Sequence, residues 1–339
     1  VGNGRAVLTA TYTNGAAHLW SDTGDANSWT TTGPGSTRNA AAYGTVNLWA
    51  SVGYDYQGSG TISYSTNNAE SWSRAQTVPA GITEWSDIAY GNEYFVAVPR
   101  SGSPFGTIAY STDGNTWNSL VFQDQNMTTI AYGNGRFVAS GGNYMATSTT
   151  GISNWEQINF EGGWQDICYD NNMWVAVGTD KVATSTDGLN WTLATNIPEG
   201  SWRGVAYGDG VWTAVNGTGN PQNNHWWMCS FNGKDWQVVS EYDGWTGYFG
   251  ATGVAYFNGR FISSYPGTIT NQSTNGYGSN TVLGLSGDKD LDGFAAGDPV
   301  RQNNNAATAQ IISVDSSSIT VALSDGTWSE NTGNFVVGP

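Results

Sequence analysis

The chain has 339 residues, of which 46 are Gly, 17 Trp and 17 Tyr, while only 11% are charged. Its net charge of −16, with lysine confined to Lys181, Lys234 and Lys289, excludes nucleic acid as a partner, because phosphate contacts need clustered Lys and Arg. No run is apolar and long enough to insert in a membrane as a helix, and no stretch of about a dozen residues carries helical apolar spacing, so the expectation is all-β.

From the N-terminus the text repeats. A short apolar run closes on Ala42-Tyr43, Ala89-Tyr90, Ala131-Tyr132, Cys168-Tyr169, Ala206-Tyr207 and Ala255-Tyr256. A tight Gly/Asn turn leads to a second run at Ala6-Val7, Leu48-Trp49, Phe95-Val96, Phe137-Val138, Trp174-Val175, Trp212-Thr213 and Phe261-Ile262. A third run and a polar turn then end on Trp29, Trp72, Trp117, Trp155, Trp191 and Trp236. The spacing, about 36 to 49 residues, is that of propeller blades. Seven occurrences of the second run predict a seven-bladed β-propeller of four-stranded blades over residues 1–279. The first copy lacks its opening strand, which is supplied by Thr281–Leu285, by residues ahead of Val1 or not at all, and the seventh fades after Ser273–Gly276 without a Trp. Past Ser279-Asn280 the text changes, and 280–339 reads as a small all-β module.

The turn before each Trp, as in Ser111-Thr112-Asp113-Gly114-Asn115-Thr116-Trp117 and Ser185–Trp191, resembles the Asp-box (BNR) motif of sialidase-like propellers, in a variant spacing. The motif's chemistry is structural: Ser and Asp bond turn N–H groups, Gly accepts a positive φ and Trp packs beneath. Sialidase chemistry would further need an arginine cluster and a Tyr–Glu pair. Arg5, Arg136 and Arg260 instead follow Asn-Gly in hairpin turns, and Arg203 stands beside Trp202.

In a four-stranded meander, the entry to strand one, the loop between strands two and three and the exit of strand four share one face. All the long loops fall there: Tyr54–Gly60, Arg100–Phe105, Asn216–His225 and Glu241–Gly250. Trp85, Trp164 and Trp202 precede the Ala or Cys of the AY/CY pair by four residues, with Met127 in the fourth copy, and Glu84, Glu161 and Glu199 accompany them. Aromatic faces flanked by carboxylates suit sugar stacking and hydroxyl recognition, whereas the structural alternative makes these Trp wedges between blades. The expected ligand-binding set is Trp85, Trp164, Trp202, Glu84, Glu161, Glu199, Tyr54, Tyr56, His225 and Trp245, with no catalytic and no metal residue. Those acids show no paired spacing, so a sialidase-like glycosidase stands only as a second alternative.

Cys168 and Cys229 read as free thiols, and His18 and His225 lie in different repeats without ligand spacing, so neither a zinc site nor any other cofactor is called for. Asp288–Gly293 matches the first half of a calcium loop, but Pro299 stands where a bidentate Glu belongs, and a solvated turn is preferred. The C-terminal stretch, KDL…F..GD.V.Q with a GTW…V.GP ending, resembles a β module of structural proteins of tailed phages, and the repeats resemble phage fibre and adhesin regions. The resemblance implies a non-enzymatic virion protein, extracellular in location, that binds a host-surface glycan or protein and contacts other virion subunits. A homo-oligomer is a further partner expectation, and a purely structural decoration or linking subunit is the alternative.

Overall fold

The computed structural model describes residues 1–264 except 14–15, 25–27, 34–35, 56, 103, 124–126, 142–143, 159, 161, 218–226 and 239–252. Beyond 264 it describes the backbone of five strands.

Short β-branched and aromatic runs separated by Gly, Asn and Asp turns form antiparallel meanders, one per repeat. Blade one comprises β1 (Ala6–Thr13), β2 (Ala16–Ser21) and β3 (Thr30–Thr32). Blade two holds β4 (Thr37–Tyr43), β5 (Trp49–Tyr54), β6 (Gly60–Ser65) and β7 (Ser73–Arg74). Blade three holds β8 (Ile82–Gly91), β9 (Tyr94–Gly102), β10 (Thr107–Ser111) and β11 (Asn118–Val121). Blade four follows with β12 (Thr129–Gly133), β13 (Arg136–Gly141), β14 (Tyr144–Ser148) and β15 (Glu156–Ile158). Blade five has β16 (Trp164–Asp170), β17 (Met173–Gly178), β18 (Lys181–Ser185) and β19 (Thr192–Leu193). Blade six has β20 (Trp202–Gly208), β21 (Val211–Asn216), β22 (Trp227–Ser230) and β23 (Gln237–Val238).

The expected count of seven is corrected to six blades among the described residues, five of four strands and one of three. The seventh copy supplies, among the described residues, only the hairpin β24 (Gly253–Phe257) and β25 (Arg260–Ser264). It lacks the Trp that clamps the last turn of the other copies. The hairpin sits between blades six and one: Phe257 and Ile262 pack with Ala6, and the Asn258 amide donates to the carbonyls of Asp22 and Thr23.

The C-terminal strands β26 (Leu283–Gly284), β27 (Pro299–Gln302), β28 (Thr308–Val314), β29 (Ile319–Asp325) and β30 (Phe335–Val337) form one sheet, ordered β26-β30-β27-β28-β29. Leu283 pairs with Val337. Among the described residues Leu283–Gly284 pairs with β30 of this sheet and with no strand of blade one, where Thr281–Leu285 was expected.

The turns between strands three and four bond themselves. Ser111 Oγ accepts the Gly114 N–H at 2.9 Å, and Asp113 Oδ1 accepts those of Asn115 and Thr116, both at 2.8 Å. Trp117 Nε1 donates to the Gly114 carbonyl at 2.8 Å, with Gly114 at φ +72°. Ser185–Asp187 repeats the pattern, and in blade six Asn232 substitutes for the Asp. These hydrogen bonds hold the Asp187 carboxyl well below the usual carboxylate range, the Asn190 N–H foremost.

Candidate functional site: the inner strands and the loop face

The innermost strands β4, β8, β12, β16, β20 and β24 follow one another around the ring and line a central channel. One turn of the repeat positions each lining residue: Ala40, Asp87, Thr129, Asp166, Gly204 and Gly253 stand at equivalent steps, two residues before the Ala or Cys of each AY/CY pair. Asp87 Oδ2 accepts the Ile130 N–H at 2.8 Å and the Thr129 hydroxyl at 3.1 Å, while its Oδ1 accepts its neighbour Ile88 N–H. Asp166 repeats this one seam further on, with Oδ2 on the Val205 N–H at 2.9 Å and Oδ1 on Ile167 N–H and, at 3.4 Å, on the Thr129 hydroxyl. Each carboxylate thus ties its own strand to the innermost strand of the next blade. Both are half-buried: the channel reaches their edges, but the strands around them withhold bulk water. Desolvation pushes Asp87 up to about 6 and, with repulsion from Asp87 added, Asp166 up to about 7. Among the described residues no group of three or more His, Cys, Asp or Glu could hold a metal.

The expected Trp ring is corrected. Trp85, Trp164 and Trp202 are 0%, 1% and 0% exposed, so no indole face is open to a sugar. Each fills the seam behind its own blade. Trp85 packs on Ala50, Val52 and Ile62; Trp164 on Val138 and Met145; Trp202 on Val175, Val177 and Val182. Met127 does the same against Val96 and Ile108. The large apolar area of Trp, inserted where two sheets meet, is worth more buried than offered to water.

The acids fare differently. Glu84 is half-buried at the rim, where its carboxylate accepts the Asn39 amide at 3.1 Å and faces Arg100 at 3.7 Å. Glu199 is exposed and Tyr54 half-buried at the start of its loop. Glu161, Tyr56, His225 and Trp245 lie outside the described residues. Two groups that composition did not single out are exposed beside the buried Trp: Gln165 and Arg203, whose aliphatic stem lies over Gly217. Their place directly after Trp164 and Trp202 is the signal that could have found them, because side chains alternate along a strand.

The two faces differ in how their polar groups are used. On the turn face, Asn92 bonds the Thr149 carbonyl of the next blade and receives the Tyr132 hydroxyl, and the polar turns saturate themselves. On the loop face, Asp180 and Gly200 tie a two–three turn to a strand-one entry, while Gln165, Arg203 and Glu199 project to solvent.

One seam departs from the rest. Between blades one and two, Arg38 occupies the place of the Trp, and its guanidinium donates to Thr61 Oγ1 at 2.5 Å and Ser63 Oγ at 2.6 Å. His18 lies 2.6 Å from Ser51 Oγ and stacks on Trp72 at 3.9 Å. Burial first, then Arg38, holds His18 down to about 3, so it is neutral, while burial lowers Arg38 only to about 10. Ser51 and Ser63 stand where blades three, four and five carry Ala97 and Ala109, Ala139 and Ala146, and Ala176 and Ala183.

No protein-family model matches the chain, and no curated protein matches it. Solved structures do. The chain is similar to YCF48 bound to a D1 peptide, with TM-score 0.52 and 12% identity over 78% of this chain and 79% of that one. It is similar to the WD40 propeller domain of Doa1, with TM-score 0.50 and 13% identity over 77% and 80%. An ancestral GH74 enzyme gives TM-score 0.52 and 17% identity over 68% of this chain and 34% of that one. The fold is a β-propeller. At these identities the likeness shows the fold alone.

Proposed function

We propose that this chain is a non-enzymatic attachment protein of a virion, a tail-fibre-like propeller whose loop face binds a host-surface glycan. The observation that carries the reading is what the loop face leaves open to solvent: the Gln165 amide, the Arg203 guanidinium and the Glu199 carboxylate are exposed there, whereas Asn92 and the polar turns of the other face are bonded internally. Gln165, Arg203, Glu199 and the Glu84–Arg100 pair replace the Trp ring as the expected contacts, with Glu161, Tyr54, Tyr56, His225 and Trp245 kept as candidates from the same loops. The turn pattern, read as a variant Asp-box, and the phage-like C-terminal text support the assignment to a virion.

The non-enzymatic part of the reading is supported by the two channel carboxylates, which spend their oxygens on inter-blade bonds rather than facing each other across an open cleft. Polar ligands surrender well-made water hydrogen bonds, so single sites are weak and attachment relies on many copies. YCF48 and its D1 peptide show that a protein of this fold can hold a partner, and here the polar, loop-borne face suits a sugar.

Beads coated with the protein and applied to an array of immobilised glycans test this. Binding is expected, and Arg203→Ala and Gln165→Ala reduce it severalfold at unchanged melting temperature. Wild-type beads that bind no glycan and no host cell would overturn the reading in favour of a decoration or linking subunit.

A further inference from the structure

The seams of the ring repeat one pairing, between a residue of a third strand and the residue that opens the next blade. Ile62 packs with Trp85, Ile108 with Met127, Met145 with Trp164 and Val182 with Trp202. At the same two steps between blades one and two stand His18 and Arg38. Both lie over one cross-strand pair: His18 Nε2 is 2.6 Å from Ser51 Oγ, Arg38 Nη2 donates to Ser63 Oγ at 2.6 Å, and Ser51 faces Ser63 in the ladder of β5 and β6. Imidazole and guanidinium are therefore neighbours, and Arg38 is the charge that acts on His18.

This pair is buried without being satisfied. His18 is 0% and Arg38 2% exposed. Indole N–H groups apart, the buried side-chain atoms without a hydrogen-bond partner among the described residues are His18 Nδ1, Arg38 Nε, Ser36 Oγ and Ser263 Oγ. The first two belong to this seam, and Ser36 stands two residues ahead of Arg38 at its entry. The Thr32 carbonyl bears on the His18 ring but makes no hydrogen bond with Nδ1. Nor is the charge neutralised. The acceptors that Arg38 reaches are the Thr37 and Thr61 carbonyls and the Thr61 and Ser63 hydroxyls, all of them neutral. The acid that acts on it, Asp55, faces Arg74 at 3.8 Å, and Arg74 repels Arg38. Burial first, then that repulsion, lowers Arg38 to about 10, which leaves it a cation at neutral pH. A guanidinium buried among neutral acceptors, with an N–H to spare, is costly unless an anion joins it.

We infer that the seam between blades one and two is a halide site, in which a chloride ion accepts the Arg38 Nε–H and the His18 Nδ1–H and neutralises the guanidinium. The neutral imidazole serves this as one tautomer: the Ser51 hydroxyl donates to Nε2 and the ring proton sits on Nδ1. Burial selects a monatomic ion, since a carboxylate or phosphate ester would need an open path for the rest of its molecule. Water, the other occupant of that size, would satisfy the N–H groups and leave the charge uncompensated. Glycine keeps the ring nitrogen uncovered: a Cβ at Gly33 would lie 2.4 Å from His18 Nδ1. The apolar seams hold no cation and have nothing to bind such an ion.

The test uses the whole chain, melted in mixtures of sodium chloride and sodium gluconate at constant ionic strength, gluconate being too large for the seam. The melting temperature is expected to rise by roughly 2–4 °C for each tenfold increase in chloride once the site begins to fill, and bromide should substitute for chloride. That rise should vanish in Arg38→Met and in the quadruple variant Arg38→Met, His18→Ile, Ser51→Ala and Ser63→Ala, which fills the seam with apolar groups. Wild-type crystals grown in sodium bromide supply a readout that needs no variant: an anomalous peak between Arg38 Nε and His18 Nδ1. A melting temperature indifferent to chloride, or one that responds equally in wild type and the quadruple variant, overturns the proposal. So does a seam without anomalous signal, which would mean that water alone serves the pair.

Discussion

The seam between blades five and six and the seam between blades one and two hold the same place in the repeat and are filled by opposite chemistry. Trp202 fills the first with apolar area against Val175, Val177 and Val182, its Nε1 donating to the Pro198 carbonyl at 3.0 Å. Arg38 fills the second with a charge, and the neighbours that accept its protons are Thr61 and Ser63. The swap is coordinated: where the ring gives up a Trp it also exchanges alanines for Ser51 and Ser63, and an aliphatic residue for His18. A buried cation needs acceptors for its donors, and the hydroxyls of Thr61 and Ser63 take the two terminal nitrogens of Arg38, so the polar changes make sense together.

Removing one member from each seam gives the largest expected effects. Trp202→Ala opens a cavity between two sheets and should cost about 3–5 kcal/mol, the range for deleting a buried large aromatic. Trp164→Ala belongs with it. Arg38→Met leaves the Thr61 and Ser63 hydroxyls without their donors and should cost less, about 1–3 kcal/mol. The combination Arg38→Met, His18→Ile, Ser51→Ala and Ser63→Ala should recover that loss, because an apolar set of similar volume is often as stable as a buried polar one. Urea titrations of the four variants check the order. A quadruple variant less stable than Arg38→Met would show that the polar seam is favourable in its own right.

Much of this was legible in the repeat. The AY/CY pairs, the second runs and the terminal Trp set blade boundaries that the strands of blades two to six follow, because each copy states its periodicity and its turns locally. The blade count was not legible, since a second-run motif marks a hairpin and does not guarantee the two strands after it. The Trp ring misled for a related reason. Position along a strand places Trp85, Trp164 and Trp202 near the channel mouth, but burial depends on what the preceding blade offers, and it offers Val and Ile. Reading the copies against one another at Arg38, Ser51 and Ser63 would have exposed the polar seam.

Titration sets the channel against the same seam. Asp87 and Asp166 have folded values of about 6 and about 7, raised above the ordinary aspartate value, so between roughly pH 4 and 7 the folded state holds protons that the unfolded chain releases. Their contribution to stability therefore grows as pH falls through that window. His18, depressed to about 3, acts in the opposite sense: the unfolded chain takes up its proton below about pH 6.5, and stability is lost on acidification. Two groups outweigh one, so the melting temperature should rise modestly from pH 7.5 to 5. Asp166→Asn removes one of the two and should flatten that profile, whereas the quadruple seam variant, lacking His18, should steepen it. A wild-type melting temperature that falls steadily from pH 7.5 to 5 would contradict the channel assignment.

The smallest effect concerns one methyl group in two settings. Ala69 stands at φ +67°, the conformation that Gly114, Gly188 and Gly233 adopt at 70–72°, and its N–H donates to Ser65 Oγ as Gly114 N–H does to Ser111 Oγ. An L-residue there costs about 1–2 kcal/mol of backbone strain. Ala69→Gly relieves that strain, but it loses a buried methyl worth about 0.8 kcal/mol and stiffening of the unfolded chain worth about 0.4–1 kcal/mol. The terms nearly cancel, so stability should change by less than about 0.5 kcal/mol. Ala50→Gly makes the same chemical change inside β5, at a residue equally buried but with ordinary backbone, where nothing offsets the loss. It should cost about 1.5 kcal/mol. Calorimetric melts of the pair decide it: equal losses would mean that the turn in blade two relaxes around Ala69 and holds no strain to release.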